Sequence, residues 1–460
     1  MLAMKRIVKA LDGESARRLA IAGLFLFVAL LFGGGGSPAP FAELIVQIAA
    51  LVALGLWFWP QPTRTREPLD RTLWLCAGAL VLIPIIQLVP VPPVVWTNLP
   101  GRENVVAAIS FIGRADEWRP ISIAPARTVA SLLSLIPPLA MMWFASQLGT
   151  PERTRLLWVI AGAGLISAVL ATLQVGTGTA LIFYQPHIPT PPPGIMASRN
   201  AQSDLLILAM TAVIALAAIP HPRISRGGRF AAAGVVLAVL AAALFLSGSR
   251  AGVAMLVIPL AAAAYLWLAP LMRVKRVGWK RVLLVGGAAL ALIAGLAEAA
   301  QGNAVIGRTL ARFSAETDAR LHEIWPDAWV AAQVQWPAGG GMGTFIPAFE
   351  SVERLEVVNE SEPNRAHNDY LEFVIEAGLA GVLLLCAALP VLLWRIVKAA
   401  RASRGRAAEP VIVFSGAAFM VVVLHSLVDY PLRAMTIAVI AGFAVGSLSR
   451  RRRGEEGSMG

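Results

Sequence analysis

Charge is scarce in this chain. Of its 460 residues only 14% are Asp, Glu, Lys or Arg, while 57% are hydrophobic; a soluble globular domain carries about 25% charged residues. Such a composition excludes a water-soluble fold, because one compact domain cannot hide that much apolar surface. Cysteine is nearly absent as well. Cys76 and Cys386 both sit in apolar runs, so neither a disulfide framework nor a cysteine-based metal site follows. The five histidines (187, 221, 322, 367 and 425) show no HxxxH spacing. The acid pair of "ETD", 316–318, does not by itself support a metal site, and no cofactor is expected.

What the chain has instead is apolar length. Runs near the roughly 20 residues needed to cross a bilayer fall at 19–32, 41–60, 72–96, 127–148, 156–175, 201–220, 230–247, 251–269, 282–300, 370–394, 411–428 and 432–448. These twelve runs predict an all-α polytopic membrane protein. The first could instead be the apolar part of a signal peptide, but "SPA" before Pro40 is a poor cleavage site, and an anchor is the better reading. Basic residues set the orientation. With the N-terminus in the cytoplasm, the inner segments hold 27 of the 39 basic residues, including Lys5, Lys9, Lys275, Lys280 and Lys398, every lysine in the chain. Each inner loop then obeys the positive-inside rule. The net charge of +12 is therefore a topology signal spread over many loops, a natural match for anionic lipid and not a nucleic-acid patch.

On this reading residues 1–448 form one transmembrane domain and 449–460 a basic cytoplasmic tail. Three longer segments face outward: 97–126, 176–200 and 301–369. The last is too long for a connector and is expected to carry short helices. In "TDARLHEIWPDAWVAAQVQ", Leu321, Ile324, Trp325, Ala328, Trp329 and Ala332 recur at helical spacing, predicting a helix lying on the membrane surface with its tryptophans at headgroup level. "PAGGGMGTF" ends it, and "PHIPTPPPG" reads as a stiff polyproline-like rim.

Chemistry concentrates in "NRAHNDYLEFVIEAGLAG". Asp369 followed by Glu372 predicts a capping box opening the tenth span at the outer surface. His367 precedes that cap at the water interface, where an imidazole can exchange a proton near neutral pH; the bland alternative is a solvated loop residue beside the caps Asn368 and Asp369. Glu376, two turns inside an apolar helix, needs a polar cavity or a partner, and "GLAG" after it admits a close neighbour helix. Arg250 in "SGSRAG", Arg320 in the large loop and Arg199 in "MASRN" are among twelve outward basic residues, all arginine. Their planar guanidinium groups suit bidentate contact with phosphate, whereas singly each could snorkel to lipid headgroups. In "LHSLVDYPLR", His425 and Asp429 lie four apart on one predicted helix face; they can orient one another for catalysis or tie the last two spans together.

At these residues the sequence resembles the O-antigen ligase family, which includes related O-antigen and exopolysaccharide polymerases. The likeness rests on "SGSRAG", on "ARLHEIW" followed by "PAGGGMGTF", on "AHNDYLEFVIEAGLAG" and on "LHSLVDYPL", in that order, and covers roughly residues 195–448. It implies transfer of a glycan from an undecaprenyl-diphosphate carrier to an acceptor sugar hydroxyl at the periplasmic face of the bacterial inner membrane. The acceptor is either lipid A core or a growing polysaccharide. The resemblance further implies that neither metal nor nucleotide takes part, and that an essential histidine works with arginines at the positions of Arg250 and Arg320. His367 is then the general base, with Arg250 and Arg320 stabilising the departing diphosphate. Arg199, Asn368, Glu376, His425 and Asp429 are candidate substrate-binding residues. A transporter or flippase is the rival class, but it would place charges near the midplane of two matching halves.

Overall fold

A computed structural model describes residues 13–36, 39–59, 70–177, 181–184, 192–268, 320–358 and 363–449. The ninth apolar run at 282–300, the first part of the large loop with its "ETD" acids, most of the proline rim and nearly all of the basic tail lie outside the described residues. The chain begins with α1 (Gly13–Phe32), α2 (Pro40–Phe58) and α3 (Arg71–Leu88). Next come a strand β1 (Pro90–Val91), the short helices α4 (Pro93–Trp96) and α5 (Glu103–Phe111), and a strand β2 (Arg119–Pro120), which pairs antiparallel with β1. There follow α6 (Pro125–Ser134), α7 (Ile136–Gln147), α8 (Thr150–Thr177), α9 (Arg199–Ala218), α10 (Arg226–Leu246), α11 (Arg250–Ala254) and α12 (Val257–Ala263). The large loop carries α13 (Trp325–Gln335) and α14 (Phe345–Glu350), and α15 (Asp369–Ser403), α16 (Glu409–His425) and α17 (Met435–Ser447) complete the chain.

The protein is thus an all-α polytopic membrane protein. Nine spans among the described residues are long and apolar enough to cross a bilayer, two of them (125–147 and 250–268) built from consecutive helices; α16 and α17 are apolar but shorter. Helix starts follow local chemistry: the side chains of Asp70, Ser198, Ser225 and Ser249 accept hydrogen bonds from first-turn amides of α3, α9, α10 and α11. The third apolar run corrects the expectation. It stays helical only to Leu88, because Pro90, Pro92 and Pro93 supply no amide hydrogens to continue the ladder.

Helix α9 is the hub of the bundle, with 94% of its most apolar window buried and α8, α10, α12 and α16 packed around it. Outer helices present Leu44, Ile48 and Leu51 of α2 and Leu75 and Leu82 of α3 outward, as lipid-facing surfaces do. Between α7 and α17 the approach is backbone to backbone. A side chain at Gly442 would strike the Pro138 carbonyl, and one at Gly446 the Met142 carbonyl, the small-xxx-small packing that substitutes for hydrophobic drive within lipid. At one end of the bundle, buried Arg153 donates to Ala145 O at 2.8 Å and Ser447 O at 2.8 Å, satisfying the closing carbonyls of both helices.

The opposite end carries a polar head. Its small apolar core joins Ala328, Ala331 and Ala332 of α13 to Phe345, Phe349, Ala366 and Ile375. The expected helix is present as α13, which packs against α15 through its alanines while Leu321 and Trp329 are 49% and 58% exposed and Trp325 donates its indole N–H to Ala366 O at 2.9 Å. Below this core α15 is broken at Gly378, whose φ of +56° only glycine adopts readily. The glycine-rich turn enters the break: Gly340 N donates to Ile375 O, Gly341 N to Glu376 O and Leu379 N to Pro337 O, all at 2.9 Å. Small residues of "GLAG" therefore admit a loop backbone, and not the neighbouring helix that the spacing predicts. Gln87 of α3 joins the same junction, donating to Glu376 O at 2.8 Å and accepting from Met342 N at 2.9 Å.

Arg102 fastens the 97–126 loop to this head. Only 2% exposed, it donates to Gln335 Oε1 at 2.8 Å, Gly339 O at 3.2 Å and Ile121 O at 2.5 Å. Burial lowers its pKa to about 10. Replacing Arg102 with Ala leaves these acceptors buried and unpaired, and should cost about 3 kcal/mol of stability; thermal unfolding of the detergent-solubilised protein measures it, and an unchanged midpoint would refute the anchoring role.

Candidate functional site

His367 lies just before α15, and neighbouring elements hold it from several sides. Ala366 O accepts from Trp325 of α13, Ala366 N donates to Glu372 Oε2 at 3.2 Å, and Asp369 N donates to Ser426 O at 3.0 Å and Asp429 O at 3.2 Å. Those contacts confine His367 to a φ of +50°, in the left-handed region that side chains seldom occupy. Strain of this kind persists only where the surroundings over-determine it.

The ring is 26% exposed and sits 4.9 Å, centroid to centroid, from Tyr430. Its Nδ1 is 3.0 Å from Asp429 Oδ1. An ionised carboxylate only accepts, so Nδ1 carries the proton in this bond and Nε2 remains as the basic nitrogen of the neutral ring. Asp429 itself is 4% exposed. Burial pushes its carboxyl up, but the His367 hydrogen bond, nearby His425 and the side chain of Asn200 together bring it below the ordinary aspartate value. Tyr430 is driven the other way, by burial first and then by Asp429, and stays a neutral phenol.

The arginines approach from two sides. Arg320, in a wide helical turn running into α13, donates from its guanidinium to the Val428 carbonyl, next to Asp429. Arg250 opens α11 directly after Ser249, whose hydroxyl donates to Asn200 Oδ1 at 2.9 Å; Asn200 in turn bonds Asp429. Arg199, partly exposed, is the neighbour of Asn200 at the start of α9. So the segments carrying His367, Asp429, Arg320, Arg250 and Arg199 meet around one hydrogen-bonded centre.

Three other expected residues take different places. Asn368, not Asp369, caps α15, accepting from Leu371 N at 3.0 Å. The expected capping box is corrected accordingly: Glu372 reaches Ala366 N and Arg365 at 2.8 Å, while Asp369 accepts from the Ser426 hydroxyl at 3.1 Å. Glu376 is fully buried against Arg433 at 2.9 Å and Phe345 N at 3.2 Å. His425, 1% exposed, bonds Asp204 of α9 at 2.7 Å, and its Nε2 stands 4.0 Å from Asp429 Oδ2. Asp429 thus gives its hydrogen bond to His367, while the four-residue spacing leaves it in a longer, 4.0 Å ion-pair contact with His425.

The three carboxylates at the mouth of α15 are neutralised by arginine. Arg433 reaches Glu372 at 2.8 Å and Glu376 at 2.9 Å and lies 3.9 Å from Asp369, and Arg365 also binds Glu372. Burial pushes the Arg433 guanidinium down, yet its three carboxylates raise it well above the ordinary arginine value. No group of three or more His, Cys, Asp or Glu placed to hold a metal ion occurs among the described residues. Sequence reasoning singled out neither Arg433 nor Asp204 and Arg365. An acid inside the apolar run "SDLLILAM" was a readable signal for Asp204; the two arginines had none beyond being basic.

Arg433→Gln leaves buried carboxylates without their cation and should destabilise the protein by about 3 to 5 kcal/mol. Adding Glu376→Gln should recover part of that loss. A double variant no more stable than Arg433→Gln, by thermal unfolding in detergent, would show that the pair does not couple.

No curated protein matches the chain. A family match covers a third of it and takes in Arg250, Arg320 and His367 while stopping short of Asp429. Residues 233–386, from within α10 to the middle of α15, match the family described as O-antigen ligase.

Proposed function

We propose that the protein transfers a glycan from an undecaprenyl-diphosphate-linked donor to a sugar hydroxyl of an acceptor glycan at the periplasmic face of the inner membrane. The observation that carries this reading is the His367–Asp429 contact of 3.0 Å, placed between segments bearing Arg320 and Arg250. Sidedness comes from charge. Arg17, Arg18, Arg71, Arg155, Arg226, Arg229, Lys398 and Arg401 all belong to the end of the bundle remote from His367, and the positive-inside rule assigns that end to the cytoplasm.

In this scheme His367 Nε2 takes the proton of the acceptor hydroxyl as its oxygen bonds the anomeric carbon of the donor. The bond from that carbon to the phosphate oxygen breaks, and its electron pair leaves with the diphosphate carrier. Asp429 holds the ring in the tautomer that can accept and stabilises the imidazolium that forms. Arg320 and Arg250 meet the negative charge growing on the diphosphate, the contribution that is usually the largest. The diphosphate ester is itself an activated donor, so no nucleotide is consumed. Base and leaving group act on opposite faces of the anomeric carbon, which makes the reaction inverting.

Two acceptors fit the same chemistry: the core sugar of lipid A, as in a ligase, and the growing repeat-unit chain, as in a polymerase. A deletion strain separates them, since carrier-linked polymer accumulates without a ligase and single repeats accumulate without a polymerase.

His367→Ala and Arg320→Ala should abolish transfer in membranes while the protein accumulates normally, and Asp429→Asn should lower the rate by about 10²- to 10⁴-fold. Loss of protein in parallel with activity would point to a structural role instead. In the product, the new linkage should have the anomeric configuration opposite to that of the donor; retention, read by NMR, would rule out the single displacement.

A further inference from the structure

Behind His367 the polar contacts continue into the bundle. His367 Nδ1 meets Asp429 Oδ1 at 3.0 Å, Asp429 Oδ2 faces His425 Nε2 at 4.0 Å, and His425 Nδ1 meets Asp204 Oδ1 at 2.7 Å. Imidazole and carboxylate alternate from the half-exposed turn to the first turns of α9. Asp204 is fully buried and His425 is 1% exposed, so both lie where a polar group is costly unless paired.

We propose that His425, gripped by Asp204, is a positioning residue for the transfer reaction: it holds the Asp429 carboxylate so that Oδ1 addresses His367. This rests on the reading of His367 as the base. A pair whose only task was to tie α9 to α16 would be satisfied within itself, and this one is not. His425 Nε2 and Asp204 Oδ2 find no hydrogen-bond partner among the described residues, and the unsatisfied nitrogen points at the one Asp429 oxygen that His367 leaves over. Because both flanking groups are anionic when ionised, a doubly protonated His425 serves both, hydrogen-bonding Asp204 through Nδ1 and facing Asp429 as an ion pair through Nε2. Charges then alternate along the chain, and the imidazolium of His425 balances part of the field that Asp429 exerts on His367. Other charged or titratable groups facing these four are Arg320, Tyr430 and Asp369, with Arg433 and Arg365 beyond them. The Asn200 side chain also helps hold the Asp429 carboxyl below its ordinary value.

The test uses the purified full-length protein in liposomes with lipid-linked donor and acceptor, comparing wild type, Asp204→Asn, His425→Gln, their double variant and His367→Ala. His425→Gln should lower kcat about tenfold with KM unchanged. It should also move the acid limb of the kcat profile to higher pH, since Asp429, no longer opposed by an imidazolium, favours the protonated form of His367. Asp204→Asn, which keeps an oxygen for Nδ1, should shift the limb the same way but less, and on the His425→Gln background it should add nothing. A kcat per folded molecule and a pH profile equal to wild type in both single variants, whatever the yield, would reduce the pair to a structural tie and overturn the proposal. A limb moved to lower pH would overturn it too. Should His425→Gln not fold, Asp204→Asn decides by the same criteria. His367→Ala is the separate control: transfer that survives it refutes the base itself, whereas transfer abolished by it with unshifted limbs in the other variants refutes only the role of His425.

Discussion

The docking of the segment before α15 onto the turn before α17 is the constraint from which the rest of the head follows. Two amide hydrogen bonds from Asp369, the Asp429–His367 contact and the Arg433 cluster all join residues 365–376 to residues 426–433. Without that junction His367 would have neither its left-handed backbone nor an oriented ring. Sequence separations of 57 and 62 residues mean that none of these contacts can form until α15 and α16 lie antiparallel in the bilayer.

A second theme is how buried charge is accommodated. Desolvating a carboxylate costs several kcal/mol unless a cation and hydrogen bonds replace its water. Asp369, Glu372 and Glu376 are shielded by Arg433 and Arg365 and by backbone amides of the glycine-rich segment and of Ala366. The same cluster explains the break at Gly378. Carbonyls freed by the kink accept from Gly340 and Gly341, and Gln87 of α3 closes the remaining gap, so irregular backbone at this depth is paid for by protein contacts instead of lipid. Glycines in "PAGGGMG" matter here for close approach: a side chain at Gly339 would overlap the backbone of Glu376.

Much of the molecule was readable before folding. Apolar length marked the membrane-spanning helices, because a bilayer imposes hydrophobic thickness on every crossing helix whatever its partners. The chemical segments were readable too, since His367, Arg320, Arg250 and Asp429 stand out as polar groups at the ends of oily helices. Pairings were less so. The i, i+4 spacing of His425 and Asp429 suggested a dyad, and the two do face each other at 4.0 Å, yet their hydrogen bonds go to Asp204 and His367. Three prolines cut short a run that apolarity alone extends to residue 96, and alanines together with the indole N–H of Trp325 seat α13 on the head.

Composition, hydrophobic period and charge distribution by themselves determined an all-α membrane protein with polar groups gathered at helix ends, because those properties are local and the bilayer reads them locally. Which carboxylate meets which imidazole, and which arginine neutralises which acid, only the tertiary structure decided. Such contacts depend on the rotation of each helix about its axis and on turns that re-aim a side chain by a few ångströms, and both are set by packing between helices far apart in the chain.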